Sequence, residues 1–204
     1  MFIGKWNKSV IMTYIGMFFS VMGIFFCFKE KILYALSCLI VSGICDLFDG
    51  AIARRCKRTD EEKQFGIELD SLVDVVSFIA FPIIIYYAMG LNAWYFIPLY
   101  VLYAICGVCR LAYFNISLEE ENKDVAIKYY KGLPVTFVSL ILPVMYLISY
   151  FVPVVLHTLY FALVLFLISG LYILNFKLRK PTLKVYPFFV LLAIIVLILF
   201  LGVL

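Results

Sequence analysis

The amino-acid sequence predicts an all-α protein, a polytopic bundle of helices that cross a membrane. Of its 204 residues, 66% are hydrophobic and the mean hydropathy is +1.08, whereas a soluble domain has about 45–50% apolar residues. The apolar residues gather into seven segments of about twenty, the length at which a helix crosses the hydrocarbon core. These segments leave no room for a soluble domain, so residues 1–204 are expected to form one integral membrane domain.

The predicted spans are joined by polar connections. Three longer charged stretches, at residues 54–68, 115–132 and 177–184, are predicted to be loops. Residues 1–8 mix apolar, aromatic and basic side chains and are expected to lie at the membrane interface. The spans themselves cover residues 9–28, 32–53, 69–89, 94–114, 133–152, 154–176 and 185–204.

Basic residues are distributed unevenly between the two sides of these spans. With a cytoplasmic N-terminus, all of the 17 Lys and Arg residues except Lys29 and Lys31 fall on the cytoplasmic side, as the positive-inside rule requires. The formal net charge is +4, and no Asp or Glu follows Asp124. This pattern favours an anionic membrane face or phosphorylated substrates over nucleic acid. We therefore expect a multi-pass protein of the cell membrane whose functional face is cytoplasmic.

Four carboxylates stand out in this apolar chain. Asp46 and Asp49 lie three residues apart near the end of the second span, and Asp70 and Asp74 lie four apart at the start of the third. Residues at these separations share one helix face, and both pairs fall at the same membrane face. An Asp at a helix centre costs roughly 2.5–3.5 kcal/mol, so it persists where it is partnered or functional. Clustered carboxylates predict a site for Mg²⁺, Mn²⁺ or Ca²⁺.

The residues after the first carboxylate pair are suited to a phosphate-bearing nucleotide. Gly50 and Ala53 leave a strip of helix surface without large side chains beside the predicted cation site. Arg54 follows with a guanidinium that can fork onto phosphate oxygens. An arginine at this place can alternatively serve as a positive-inside anchor of the span.

The order of these residues resembles the signature of the CDP-alcohol phosphatidyltransferase family. The signature reads Asp46-x-x-Asp49-Gly50-x-x-Ala53-Arg54 and then Gly66-x-x-x-Asp70-x-x-x-Asp74. Eleven residues separate Arg54 from Gly66, where the family pattern usually has eight, and the extra three fall in the charged loop. Three stretches resemble the phosphatidylserine synthase branch: LDSLVDVVSF (69–78), CRLAYFN (109–115) and KGLPVT (131–136). The resemblance implies a six-helix core, here with one extra helix, and a homodimer.

The resemblance also implies a reaction and roles for the signature residues. A CDP-linked lipid, CDP-diacylglycerol or CDP-archaeol, would pass its phosphatidyl-type group to L-serine and release CMP. Asp74 would act as the general base and as a further metal contact. One or two divalent cations, Mg²⁺ or Mn²⁺, would be bound by Asp46, Asp49, Asp70 and Asp74, and the CDP-linked lipid by Gly50, Ala53, Arg54 and Gly66.

Four residues outside the metal set are predicted to bind the acceptor or a phosphate. Arg110, an arginine among apolar neighbours at the end of the fourth span, suits a carboxylate or phosphate through bidentate contacts. It can instead pair with an aspartate or extend to the interface. Asn115 and Lys131 are weaker candidates on the same argument. Ser77 can alternatively bond its own helix backbone, and Gly66 can have a backbone role.

Two further classes of function stay open from the sequence alone. Within the family, the acceptor can be inositol phosphate or glycerol phosphate, which would demand more than one basic group beside Asp74. Outside it, a cation transporter also uses membrane carboxylates, although it would spread them along a path.

Cys106 and Cys109 form a CxxC without a second pair, which favours a structural role. His157, the only histidine, falls on the opposite membrane side and is not expected to be catalytic.

Overall fold

The fold is a bundle of membrane helices, as the sequence predicts. The computed structural model describes residues 4–5, 7–121, 129–179 and 186–203. The helices are α1 Ile11–Phe28, α2 Ile32–Arg55, α3 Asp60–Asp74, α4 Phe81–Ala88, α5 Ile97–Glu121, α6 Val138–Ser149, α7 His157–Ile173 and α8 Tyr186–Val203. A π-helical segment, Val75–Ala80, joins α3 to α4. Four 3-10 turns lead into helices: Lys8–Val10, Trp94–Phe96, Val135–Phe137 and Val154–Leu156.

Five helical rods in the described part of the chain are long and apolar enough to cross a membrane. They are Lys8–Phe28, Ile32–Arg55, Asp60–Ala88, Trp94–Ile116 and Val154–Ile173. Two shorter apolar helices, Val135–Ser149 and Pro187–Phe200, occupy the places of the predicted fifth and seventh spans. The predicted fold class, a polytopic all-helical membrane bundle, is therefore confirmed.

The predicted loop at residues 54–68 is wrong over its second half, because α3 begins at Asp60. Thr59 and Glu62 form a capping box: the Thr59 hydroxyl accepts from the Glu62 N–H at 3.2 Å, and the Glu62 carboxylate accepts from the Thr59 N–H at 2.8 Å. Acidic residues in the first turn also suit the positive end of the helix dipole. These local signals start a helix in a stretch whose polarity indicates a loop, and they place Gly66 inside α3.

The N-terminal segment is held against the start of α3. Lys5 Nζ contacts Glu61 Oε2 at 2.6 Å, and this carboxylate raises the pKa of Lys5. Asn7 Nδ2 donates to the Lys57 carbonyl oxygen at 3.3 Å. The described residues of the predicted interfacial segment thus lie beside the basic stretch that follows α2.

Two short strands lie within stretches predicted to be loops. Strand β1, Tyr129–Lys131, pairs antiparallel with β2, Lys177–Arg179, so that Tyr130 faces Leu178 across the pair. Gly132 follows β1 with φ of +78°, and its N–H donates to the Phe176 carbonyl at 2.9 Å. The pair therefore ties the start of the α6 region to the end of α7.

Helices α1 and α2 pack closely through small residues. The buried positions of α1 are Thr13, Gly16, Ser20, Gly23 and Cys27, which recur at helical spacing along one face. A Cβ atom at Gly23 would overlap the ring of Phe81 on α4, so the glycine makes room for that ring. Small residues at helix interfaces allow close backbone approach in membranes.

The π-helical segment has a local cause in Pro82. Proline has no N–H to offer the carbonyl four residues before it, which here belongs to Phe78. The Tyr103 hydroxyl on α5 donates to the Phe78 oxygen at 2.7 Å, and Tyr103 also lies 3.2 Å from the Tyr172 hydroxyl on α7. Side chains of two other helices thus stabilise the turn that follows Asp74.

Candidate active site

The four predicted carboxylates meet in one cavity, where the end of α2 faces the third membrane-length rod, Asp60–Ala88. The cavity has a volume of about 250 Å³. Its floor is acidic, and Arg54 and Arg110 stand on its walls. The remaining lining comes from α2, α5 and the turn before α6, namely Leu47, Gly50, Ala51, Leu111, Phe114, Pro134, Val135, Thr136 and Phe137.

The carboxylates form two pairs across the helix interface. The carboxyl groups of Asp46 and Asp74 lie within hydrogen-bonding reach of each other, as do those of Asp49 and Asp70. Asp49 and Asp74 are each only 8% exposed. The pairing follows from the sequence spacing, because residues three or four apart on antiparallel helices can match turn for turn.

Three of these carboxylates fit a single hard cation. Asp46, Asp49 and Asp70 each offer one ligand oxygen, and these atoms lie within 4.8 Å of one another. All the donors are carboxylate oxygens, the ligand type that Mg²⁺, Mn²⁺ and Ca²⁺ prefer. Asp74 lines the same cavity beside this triad. The donor set therefore suits a divalent cation.

Gly50 and Arg54 lie together on the wall formed by α2. The Arg54 guanidinium is 3.6 Å from the place that a Cβ atom of Gly50 would occupy, so its side chain lies along the bare glycine surface. Ala51 rather than Ala53 belongs to the cavity lining. Gly66 is outside the lining of this cavity, and a Cβ atom there would be 3.8 Å from the Arg58 guanidinium and 3.9 Å from Val10. Of the four predicted CDP-lipid residues, Gly50 and Arg54 are the ones in this cavity.

Arg110 separates the carboxylate cavity from a second one. Its side chain is buried, with 6% exposure, and its guanidinium carbon lies 5.6 Å from the Phe114 ring centroid. The second cavity has a volume of about 270 Å³, lies between α5 and the end of α7, and is lined by Cys109, Arg110, Tyr113, Tyr172, Ile173, Leu174 and Asn175. A ligand on either side of Arg110 can thus meet the guanidinium.

Two of the other predicted acceptor residues, Asn115 and Ser77, are outside the lining of the carboxylate cavity. Asn115 Nδ2 donates to the Ser71 hydroxyl at 2.8 Å, outside the cavity lining. Ser77 is fully buried beneath the carboxylates and accepts from Ser20 at 2.7 Å. The backbone of Lys131 lies in β1, and its side chain is outside the described residues. Within the described part of the chain, Arg110 is the member of this group that lines the carboxylate cavity.

A narrow apolar groove opens from the carboxylate cavity. It has a volume of about 80 Å³ and lies between α2, α6 and α8. Asp46, Leu47, Thr136 and Phe137 line both spaces, which makes them continuous. The groove is otherwise mainly apolar, with Ile40, Ile44, Leu140, Phe189, Val190 and Ala193 in its walls. Apolar chains can therefore lie beside the acidic floor.

Sequence reasoning missed one polar contact to the carboxylates. The Thr13 hydroxyl on α1 donates to Asp49 Oδ2 at 3.2 Å. Thr13 lies 36 residues from Asp49, and no spacing rule connects them. The small and hydroxyl-bearing residues at helical spacing along α1 are the signal that would have marked this face as a packed one.

Several curated proteins similar to this chain bear the name CDP-diacylglycerol–serine O-phosphatidyltransferase. The protein from Saccharomyces cerevisiae is 37% identical over 112 residues, which is 52% of this chain and 40% of the relative. The protein from Helicobacter pylori strain J99 is 37% identical over 109 residues, covering 52% and 45%. The protein from Bacillus subtilis is 33% identical over 102 residues, covering 49% and 52%. The chain spans about half the length of these relatives.

The family assignment rests on a longer match. The model of the CDP-alcohol phosphatidyltransferase family matches residues 6–172, which include all four carboxylates, the basic walls of their cavity and the helix α1 beneath them. This match covers well over half of the chain. The protein therefore belongs to the CDP-alcohol phosphatidyltransferase family.

Proposed function

We propose that this protein transfers a phosphatidyl-type group from a CDP-linked lipid, CDP-diacylglycerol or CDP-archaeol, to the hydroxyl group of L-serine and releases CMP. The observation that carries the proposal is the meeting of four carboxylates with a buried arginine in one cavity at the edge of an apolar groove. The names of the similar proteins support serine as the acceptor. The reaction would belong to phospholipid biosynthesis.

The acidic floor is proposed to bind Mg²⁺ or Mn²⁺, as one or two ions, through Asp46, Asp49, Asp70 and Asp74. A divalent cation there would neutralise charge that develops on the CMP leaving group. Gathering all four carboxylates at one end of the rods also favours an enzyme over a transporter, which would need acidic groups along a path through the membrane.

The CDP group is proposed to lie against the α2 wall. Gly50 leaves room for a flat group, and the Arg54 guanidinium beside it can donate in parallel to phosphate oxygens. The lipid chains would enter the apolar groove between α2, α6 and α8, next to Asp46. This placement sets the phosphorus that joins the lipid over the carboxylates.

Asp74 is proposed to be the general base. The serine hydroxyl oxygen forms a bond to the lipid-proximal phosphorus, the bond from that phosphorus to the pyrophosphate bridging oxygen breaks, and CMP leaves with the electron pair. Asp74 takes the hydroxyl proton. Its carboxylate is nearly buried in the cavity floor, so it is held in one place, and positioning of this kind contributes much of the rate in phosphoryl transfer.

Arg110 is proposed to bind the serine carboxylate. The guanidinium can form a bidentate pair with a carboxylate, and the second cavity gives space on its far side. Within the described residues, Arg54 and Arg110 are the basic side chains that line these two cavities, and Arg54 lies on the α2 wall. A single guanidinium is enough to bind an amino-acid carboxylate, whereas a phosphorylated acceptor would demand further basic groups.

The membrane arrangement is a further part of the proposal. The charge distribution along the sequence supports a cell membrane protein with the cavity facing the cytoplasm, where activated nucleotides are made. The family resemblance supports a homodimer, which light scattering of the purified protein in detergent would test.

The experiment that tests the function is CMP release by the purified protein with a CDP-linked lipid and Mg²⁺ or Mn²⁺. We expect release with L-serine, and a fall of about 10²–10⁴-fold in Asp74→Asn, the range typical of a lost general base. Release only with glycerol phosphate or inositol phosphate would overturn the serine assignment and the role of Arg110. If no acceptor gives CMP release and the protein carries a cation flux in vesicles, it functions as a transporter and the proposed enzyme function is wrong.

A further inference from the structure

Helix α1 lies outside the carboxylate signature, yet it reaches the carboxylates with a hydroxyl group. Thr13 is buried, and its hydroxyl donates to one oxygen of Asp49 at 3.2 Å. This hydrogen bond restricts the rotation of the Asp49 carboxylate about its Cβ–Cγ bond. The lone pairs that do not accept from Thr13 then keep one orientation, in which they can bind a cation.

Close packing of α1 on α2 makes this contact possible. Gly16, one turn after Thr13, faces α2, and a Cβ atom there would lie 3.3 Å from the Cys45 Cβ atom and 3.7 Å from the Ser42 carbonyl oxygen. A Cβ atom at Gly16 would require Cys45 or α1 to shift by a few tenths of an ångström. The glycine therefore allows the close approach at which the Thr13 hydroxyl reaches Asp49.

A second group of hydroxyls lies directly below. Ser20 on α1 contacts the Ser42 hydroxyl on α2 at 2.9 Å and donates to the Ser77 hydroxyl of the π-helical segment at 2.7 Å. All three serines are almost fully buried.

A small cavity separates these serines from the carboxylates. Its volume is about 10 Å³, and Thr13, Ser42 and Ser77 line it together with all four aspartates. A space of roughly 10–15 Å³ with several polar partners is what one buried water needs. A water there would accept from a serine hydroxyl and donate to a carboxylate.

We propose that the hydroxyl groups of Thr13, Ser42 and Ser77 position the carboxylates for a divalent cation. Thr13 would act directly on Asp49, and the serines would act through one buried water. The inference rests on the proposed metal-dependent function and adds residues that the signature does not contain. It gives Ser77 a positioning role beneath the site, where the acceptor cannot reach it. Groups that orient metal ligands typically change metal affinity by 10–100-fold when they are removed.

The test is Mn²⁺ binding to the purified protein without substrate, measured by the electron paramagnetic resonance signal of free Mn²⁺. Thr13→Val keeps the shape of the side chain and removes the hydroxyl, so its Kd for Mn²⁺ should rise at least 10-fold, and Thr13→Ser should restore binding. Ser77→Ala should also raise the Kd. The matched control is Ser169→Ala, because Ser169 is an equally buried membrane-helix serine that donates to its own helix at Leu165.

Each outcome is decisive for a different statement. If the wild-type protein binds Mn²⁺ and the Kd is unchanged in Thr13→Val and Ser77→Ala, the positioning role of the hydroxyl groups is overturned and the proposed function stays intact. If the wild-type protein binds no Mn²⁺, the metal site is overturned and the positioning role with it. Equal loss of binding in Ser169→Ala would show a general effect of removing buried hydroxyls, which also overturns the inference.

Discussion

Gly132 packs closely against the side chain of Arg110. A Cβ atom on Gly132 would come to 3.5 Å from Arg110 Nε and 3.0 Å from the Tyr172 carbonyl oxygen. The glycine has φ of +78°, and its N–H donates to the Phe176 carbonyl at 2.9 Å. The backbone at Gly132 therefore packs against the Arg110 side chain and is hydrogen-bonded to the chain just after α7.

Replacing Gly132 should impair acceptor binding. In Gly132→Ala, the left-handed backbone becomes unfavourable by about 1–2 kcal/mol, and the new methyl group presses on Arg110 and the end of α7. We expect the KM for L-serine to rise about 10-fold with little change in the KM for the CDP-linked lipid, measured by CMP release. Gly170→Ala is the control, because a Cβ atom there meets nothing within 4 Å. A rise confined to the lipid KM would contradict the role of this contact.

The thiol of Cys109 offers a probe of the second cavity. Cys109 is exposed and lines that cavity with Arg110, whereas most of the other cysteines are buried. We expect a methanethiosulfonate reagent to attach to Cys109 and to inhibit serine-dependent CMP release. L-serine should slow the modification, which mass spectrometry of the intact protein can follow.

The control for this labelling is Cys109→Ser in a Cys56→Ser background, which removes the two cysteines that are not buried. That double variant should keep its activity in the presence of the reagent. Complete modification of Cys109 without any change in the serine KM would show that the acceptor does not use this side of Arg110.

A larger side chain introduced into the apolar groove should compete with the lipid chains for its space. Val190 on α8 lines the groove and is half-buried, so Val190→Phe fills space without a large change in the core. We expect the KM for the CDP-linked lipid to rise several-fold with the serine KM unchanged. Ile194→Phe, at an exposed position of the same helix, is the matched control. Equal kinetics in both variants would place the lipid chains elsewhere.

Removal of divalent cations should abolish activity. The floor of the cavity holds four carboxylates, and ligand oxygens of three of them lie within 4.8 Å of one another. EDTA should therefore stop CMP release, and Mg²⁺ or Mn²⁺ should restore it. Asp70→Asn should then need a higher Mn²⁺ concentration for half-maximal rate. Full activity in EDTA would exclude the metal-dependent reaction.

The sequence was sufficient to predict the helical bundle and the meeting of the two carboxylate pairs. Both depend on local patterns: apolar runs of membrane length, and aspartates three or four residues apart at adjoining helix ends. The start of α3 was missed although its signal, Thr59 with Glu62, is also local, because the charged composition of residues 54–68 indicated a loop.

Most of the contacts that the sequence did not predict join distant parts of the chain. Thr13 meets Asp49 only because α1 and α2 pack closely at Gly16. Asn115 donates to the hydroxyl of Ser71, which lies 44 positions away in the sequence. Strands β1 and β2 pair residues almost fifty positions apart. Such contacts follow from how helices are placed in three dimensions, which spacing along one helix does not determine.

The π-helical segment also determines the rotational phase of the third rod. A π turn holds one residue more than an α turn, which sets back every following side chain by about 100°. Asp74 can therefore face α2 before the segment while Phe81 faces Gly23 of α1 after it. Deleting one residue between positions 75 and 80 would put one of these two faces out of phase. This stretch should consequently tolerate no change of length.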